Sequence, residues 1–214
     1  MVRTNARLLA LSALLFALAT TANAATDTWK IDTAHSNVSF TVRHNVISKL
    51  SGRFSQFDGT LVLDPEKLTA TRIDVTIDAN SINTDNEKRD GHLKSPDFFD
   101  TANNPTITFK STGVKPKDKT TGVLLGNLTM HGVTKPVELR YTVLGYGDAF
   151  GGHRAGFEAS GVINRKDFGI NWNKALDNGG LVVSDEVAIN LSIEAAQEKP
   201  AEAKVADSSK SIGR

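Results

Sequence analysis

The chain has 214 residues, with 25 Lys and Arg against 24 Asp and Glu, and it has no cysteine. The even charge balance leaves no basic surplus for nucleic-acid binding through phosphates. Thiol catalysis, disulfides and cysteine-held metals are all excluded, so a single buried core has to stabilise the fold, and the chain is long enough to form one.

Residues 1–24 read as a secretory signal peptide. Arg3 and Arg7 give a basic start, Leu8–Ala19 is an almost unbroken apolar run, and Ala22-Asn23-Ala24 supplies a small-x-small cleavage pattern. The run is short for a membrane span, which needs about 20 residues. Cleavage would remove two arginines and no acid, turning 25 against 24 into 23 against 24.

From Trp29 to Glu194 the dominant period is two, the signature of strands with one dry and one wetter face. Val38, Phe40 and Val42 alternate with Ser39, Thr41 and Arg43 in the first predicted strand. A second, over Phe54–Leu63, places Gly59, Leu61 and Leu63 on one face, and a third places Ile73, Val75, Ile77 and Ala79 there. Asn83–Asp100 breaks the pattern and predicts a short helix or irregular crossover, with Asn and Asp as caps. The fourth strand carries Ile107 and Phe109; the fifth carries Gly122, Leu124, Gly126 and Leu128. His131 and Gly132 then read as a turn, and Pro136 requires an edge or a bulge. The sixth strand carries Val137, Leu139, Tyr141 and Val143, followed by an apparent turn at Tyr146-Gly147-Asp148. Phe157, Ala159, Gly161 and Ile163 mark the seventh, and Asn164–Gly169 reads as a loop at one end, with Phe168 and Trp172 packing inward. Val187, Ile189, Leu191 and Ile193 mark the eighth; Ala195–Arg214, rich in Ala, Lys, Glu and Ser, reads as a disordered tail.

Eight short strands without intervening helices, each wet on one face, predict an antiparallel sandwich or barrel. Small residues on the dry faces (Ala79, Gly59, Gly126, Ala159, Gly161) favour a closed eight-stranded barrel around a ligand-sized space over a filled sandwich. The domain is therefore bounded at 25–194. Phe40, Val42, Val75, Ile77, Phe109, Tyr141, Phe157 and Ile189 are expected to face the interior and contact a ligand.

The polar candidates are fewer. His44 follows Val42 by two residues and shares its dry face, where it would meet a ligand head group or a backbone carbonyl. Asn86, Arg89, Asp90 and His92 crowd the crossover. They allow three readings: an Arg–Asp pair pinning the crossover, an anion site in which Arg89 grips a charged head group, or an acid–base set. Phe98 and Phe99 would plug or line a barrel end. Asn164–Gly169 would offer either solvated charges or a basic rim. Asp185 and Glu186 are adjacent, so on a strand they face apart and do not form a carboxylate pair. The five histidines show no metal-binding spacing, no phosphate loop is present, and no cofactor or metal is predicted.

Several segments together resemble the YceI-like family of polyisoprenoid-binding periplasmic proteins. They are IDTAHSNVSFTVRH (Ile31–His44), SGRFSQFDGTL (Ser51–Leu61), SINTDNEKRDGHLKSPDFFD (Ser81–Asp100), NPTITFKS (Asn104–Ser111), GNLTMHGVTKPVEL (Gly126–Leu139) and GVINRKDFGINW (Gly161–Trp172). The resemblance implies an all-β, lipocalin-like antiparallel β-barrel whose apolar interior holds an isoprenoid chain, in the periplasm and without catalysis. His44, Arg89 and His92 would then join the interior apolar residues as ligand contacts. An isoprenoid lipid is the implied partner, with transient membrane contact for its exchange. Oligomeric state, monomer or dimer, stays open. An enzyme acting on an isoprenoid or quinone through Arg89, Asp90 and His92, or an interaction protein with a filled barrel, are the competing expectations.

Overall fold

The computed structural model describes residues 27–64, 67–177 and 179–198. The predicted leader, and the predicted tail from residue 199, lie outside them. Eleven strands form one antiparallel sheet: β1 (Asp27–Ile31), β2 (Asn37–His44), β3 (Ser48–Phe54), β4 (Phe57–Leu63), β5 (Arg72–Asp78), β6 (Ile82–Asn83), β7 (Thr106–Pro116), β8 (Thr121–Met130), β9 (Val133–Ala149), β10 (Gly152–Asn164) and β11 (Val183–Gln197). Among the described residues one α-helix, α1 (Glu87–Lys94), lies between β6 and β7.

The eleven strands make eight staves. β1 and β2 run one after the other along β11, pairing with Ala195–Gln197 and Val183–Ser192 respectively. β3 and β4 form the next stave, against β2 and β1. β5 and β6 form the third, against β4 and β3. From β7 to β11 each strand pairs with the next, and β11 returns to β1 and β2. The ring is a closed eight-stave antiparallel barrel, in which the two-residue β6 keeps an unpaired outer edge.

Two of the three composite staves break where a side chain offers the backbone an alternative partner. Ser36 Oγ donates to Glu194 O at 3.2 Å and accepts from Glu194 N at 2.9 Å, which bulges residues 32–36 out of the ladder. Asp78 caps a 3-10 turn over Ala79–Ser81, accepting from Asn80 N at 2.9 Å. Ala79, expected on the cavity face of a strand, is instead fully buried in this turn, away from the cavity.

Three other expectations change. Tyr146-Gly147-Asp148 is not a turn: β9 continues through Ala149, and the reversal falls at Phe150–Gly151. The predicted tail starts too early, since β11 runs to Gln197 and Ala195 is fully buried against β1. The dry-face glycines do not leave open space. A Cβ at Gly126 would overlap the Phe109 ring, one at Gly52 the Phe40 ring and one at Gly122 the Tyr141 ring. Each glycine lets a cross-strand aromatic lie flat along the wall, so the rings line the cavity without filling it.

Candidate functional site

The strand connections sort by end. The β2–β3 hairpin, α1 with residues 95–105, the β8–β9 turn and residues 165–182 share one end; the β4–β5, β7–β8 and β9–β10 connections share the other. At that second end Trp29, Ile31, Leu61, Leu63, Ala155 and Ala195 close into a core cluster. Between the ends lies a cavity of about 650 Å³. That volume falls within the usual range for ligand sites. Its wall is made of the alternating inward residues of every stave. A filled barrel is therefore not what this chain forms.

All eleven residues singled out from the sequence line this one cavity: Phe40, Val42, His44, Val75, Ile77, Arg89, His92, Phe109, Tyr141, Phe157 and Ile189. Ala159 also lines it. Leu50, Asn86, Lys88, Arg165, Trp172 and Val183 join them without having been named as contacts. Asn86 and Lys88 are exposed as well as lining, so the cavity meets solvent beside α1. Polar groups gather at this mouth, and the wall beyond it is almost wholly aliphatic and aromatic.

α1 is a polar helix with no fully buried residue; Leu93 packs against the core, and side-chain hydrogen bonds hold its start. Asn86 caps it, accepting from Arg89 N at 2.9 Å. Asp90 Oδ1 accepts from Thr84 N at 2.9 Å and from Thr84 Oγ1 at 2.5 Å. Arg89 donates to the same residue, Nε to Thr84 Oγ1 and Nη2 to Thr84 O, both at 2.7 Å. The direct Arg89–Asp90 pair, one of the three readings the sequence allowed, is thus replaced by a three-residue clasp centred on Thr84. Two of the five guanidinium N–H groups are engaged there, and Arg89 also lines the cavity.

His92 turns away from this clasp. Its Nε2 lies 2.8 Å from Asp97 Oδ2, and its ring meets Phe98 and Trp172 edge-on at centroid distances of 5.0 and 4.9 Å. Arg89, Asp90 and His92 accordingly do not converge on one point, as an acid–base set would require. His92 instead joins the helix end to the 95–105 and 165–182 segments, closing part of the mouth with aromatic rings. His44 lines the cavity, and its ring makes no hydrogen bond among the described residues.

The Asn164–Gly169 segment is a staple, not a basic rim. Arg165 is 4% exposed. It donates to Ile170 O, Trp172 O and Ser184 O at 2.9, 2.8 and 3.0 Å, and to Asp185 Oδ1 at 3.1 Å. Burial lowers its pKa, partly offset by Asp185. Lys166 Nζ adds a second contact to Asp185 at 2.8 Å. Phe168, 1% exposed, anchors the loop, and its carbonyl lies 3.0 Å from His131 Nδ1. Deeper in the barrel, the Tyr141 hydroxyl is buried with no hydrogen-bond partner among the described residues, and burial raises its pKa.

With this geometry in view, comparison with known proteins decides the family: the YceI-like domain matches residues 29–195. The chain belongs to the YceI-like family. It is 43% identical over 189 residues to a UPF0312 protein of Pseudomonas paraeruginosa, covering 87% of this chain and 95% of that one. Among solved structures, the Campylobacter jejuni YceI protein superposes with a TM-score of 0.64 at 31% identity, covering 78% of this chain and 96% of that one. A polyisoprenoid binding domain from Saccharophagus degradans shares the fold, with a TM-score of 0.59 at 17% identity over 79% of this chain and 98% of that one. The YceI-like match spans both sides of the mouth, α1 and the Arg165 loop included.

Proposed function

We propose that this chain holds a long-chain isoprenoid lipid, of polyprenyl or quinone type, in the barrel and carries or sequesters it in the periplasm. The observation that carries the reading is an apolar cavity of about 650 Å³ with most of its charged groups gathered at one end. That layout suits a molecule with a long apolar tail and one polar head. Membership of the YceI-like family supports the reading, as does the likeness in fold to a polyisoprenoid binding domain. The periplasmic setting rests on the leader-like residues 1–24.

Energetics assign different tasks to the two ends. Moving an apolar tail out of water gains about 0.8 kcal/mol per CH₂. A bilayer offers the tail nearly the same gain, so exchange between bilayer and barrel is close to neutral for it. Selection then falls to the head-group end, where Arg89, Lys88 and His44 line the cavity. Native mass spectrometry of protein purified from cells without detergent tests the proposal. A bound species of lipid mass is expected, and Ala159→Trp, which puts a ring into the cavity, should lose it while the fold survives. Protein that is repeatedly empty overturns the reading.

A further inference from the structure

The barrel end that carries the mouth also carries an apolar tip. Val46 is 49% exposed and Ile47 is 87% exposed, at the turn of the β2–β3 hairpin. Leu181, 41% exposed, belongs to the neighbouring segment, which Asn45 N joins by a 2.9 Å bond to Val182 O. Val46 takes a left-handed backbone, φ 67°, a costly conformation for a β-branched residue. Arg43 helps hold it by donating from Nη1 to Val46 O at 3.3 Å. Neither the turn nor the core calls for large aliphatic side chains here.

The charges behind the tip are equally out of place in a free hairpin. Arg43 and Lys49 lie directly opposite each other across the β2–β3 ladder. Like charges in that position repel. Among the described residues no carboxylate forms an ion pair with either, and Glu186, in the β11 bulge that faces Arg43, is bonded to neither. Phe150, equally exposed at the far end, differs: its ring stacks on His35, and the Arg154 guanidinium sits over it. The tip at the mouth has no such partners.

We propose that Val46 and Ile47, with Arg43 and Lys49 behind them, dock the open end of the barrel onto an anionic lipid bilayer. The aliphatic side chains enter the interface, and the opposed cations meet lipid phosphates that remove their mutual repulsion. His44, which adjoins the tip, lines the cavity. Docking therefore sets the mouth against the leaflet and gives a lipid a route that avoids water. The route rests on the lipid-binding reading; the docking itself does not.

Vesicle flotation tests it, with vesicles of pure phosphatidylcholine and of equal parts phosphatidylcholine and phosphatidylglycerol. Wild type is expected to float with the anionic vesicles. Ile47→Asp should weaken that association about tenfold or more, the loss expected when one large aliphatic side chain no longer leaves water. Lys49→Glu should weaken it about tenfold on anionic vesicles only, and high salt should erase that difference. Because the chain has no cysteine, an environment-sensitive dye on Ile47→Cys reports the tip alone. It should shift to the blue on anionic vesicles, whereas a dye on Phe150→Cys should not. Variants that float like wild type, or a dye at Ile47→Cys that does not respond, overturn the docking. So does a wild-type dimer that Ile47→Asp turns into a monomer without flotation by either form, which would make the tip a self-association face. Native mass spectrometry of the same samples separates the two readings. Filled cavities without flotation sink the docking alone, and empty cavities with flotation sink the carrier reading alone.

Discussion

Adding one methyl group at Gly126 should disturb both stability and the cavity. The Cβ of Gly126→Ala would fall on the Phe109 ring and 2.8 Å from the Lys110 carbonyl oxygen. The carbonyl belongs to the β7–β8 ladder and cannot retreat. The ring can, and the cavity is the open side available to it. Overpacking of this kind destabilises by about 1–3 kcal/mol. For a chain of this size that corresponds to a fall in Tm of about 2–12 °C. The tilted ring would also take up ligand space, so lipid occupancy by native mass spectrometry should fall in parallel. Gly126→Ala combined with Phe109→Leu should recover much of the lost stability, because the pair in contact is strongly coupled. An unchanged Tm in the single variant, or simple additivity in the double, would refute the idea that glycine makes room for a flat ring.

Three further predictions follow from the mouth and the seam. Arg89→Ala should weaken a pyrophosphate-headed lipid about ten- to a hundred-fold while affecting the matching alcohol less; equal losses, read by competition binding, would leave Arg89 as a clasp on Thr84 only. Arg165→Met should cost about 3–5 kcal/mol in urea unfolding, because the buried carbonyls of Ile170 and Trp172 lose their donor; a loss below about 1 kcal/mol would contradict the staple role. Asp32 has a pKa held below its usual 3.8, chiefly by the side-chain bond to His35 and further by Arg154. Its folded value is depressed, so its stabilisation is complete above about pH 4 and disappears as pH falls through the lower folded value. The Tm gap between wild type and Asp32→Asn should therefore close on acidification, and a constant gap would remove Asp32 from the acid transition.

Much of the barrel was readable from period two because most inward positions carry large apolar residues. The same rule placed Phe40, Val75, Phe109 and Ile189 in one cavity, since each stave has only one inner face. What escaped was diluted or short. β3, Ser48–Phe54, has Gly52 between Leu50 and Phe54, so its dry face is faint, and β1 is only five residues long. Ala79 was misplaced because the Asp78 cap is a local side-chain bond that alternation cannot register. The end of β9 escaped because its residues, Gly145-Tyr146-Gly147-Asp148, have turn-like composition, and pairing with β10 overrides it. The mouth was legible only in pieces. Lys88 and Trp172 reach the same opening through contacts between segments far apart in sequence, which no local pattern encodes.

The seam of the barrel also bears on when the chain can fold. The ring is completed where β1, the first strand, meets Ala195–Gln197, the end of the last. Residues roughly a full domain apart in sequence must meet before that ladder exists, so the entropy of closing the largest possible loop falls on one step. The neighbouring staves from β7 to β11 are sequential hairpins and can form early. A ribosome-bound chain would therefore hold an open, curled sheet with two unpaired edges until β11 is released. Closure is then the slow, late event, and the interval before it is when an open sheet is most exposed to aggregation and best able to admit a bulky ligand sideways.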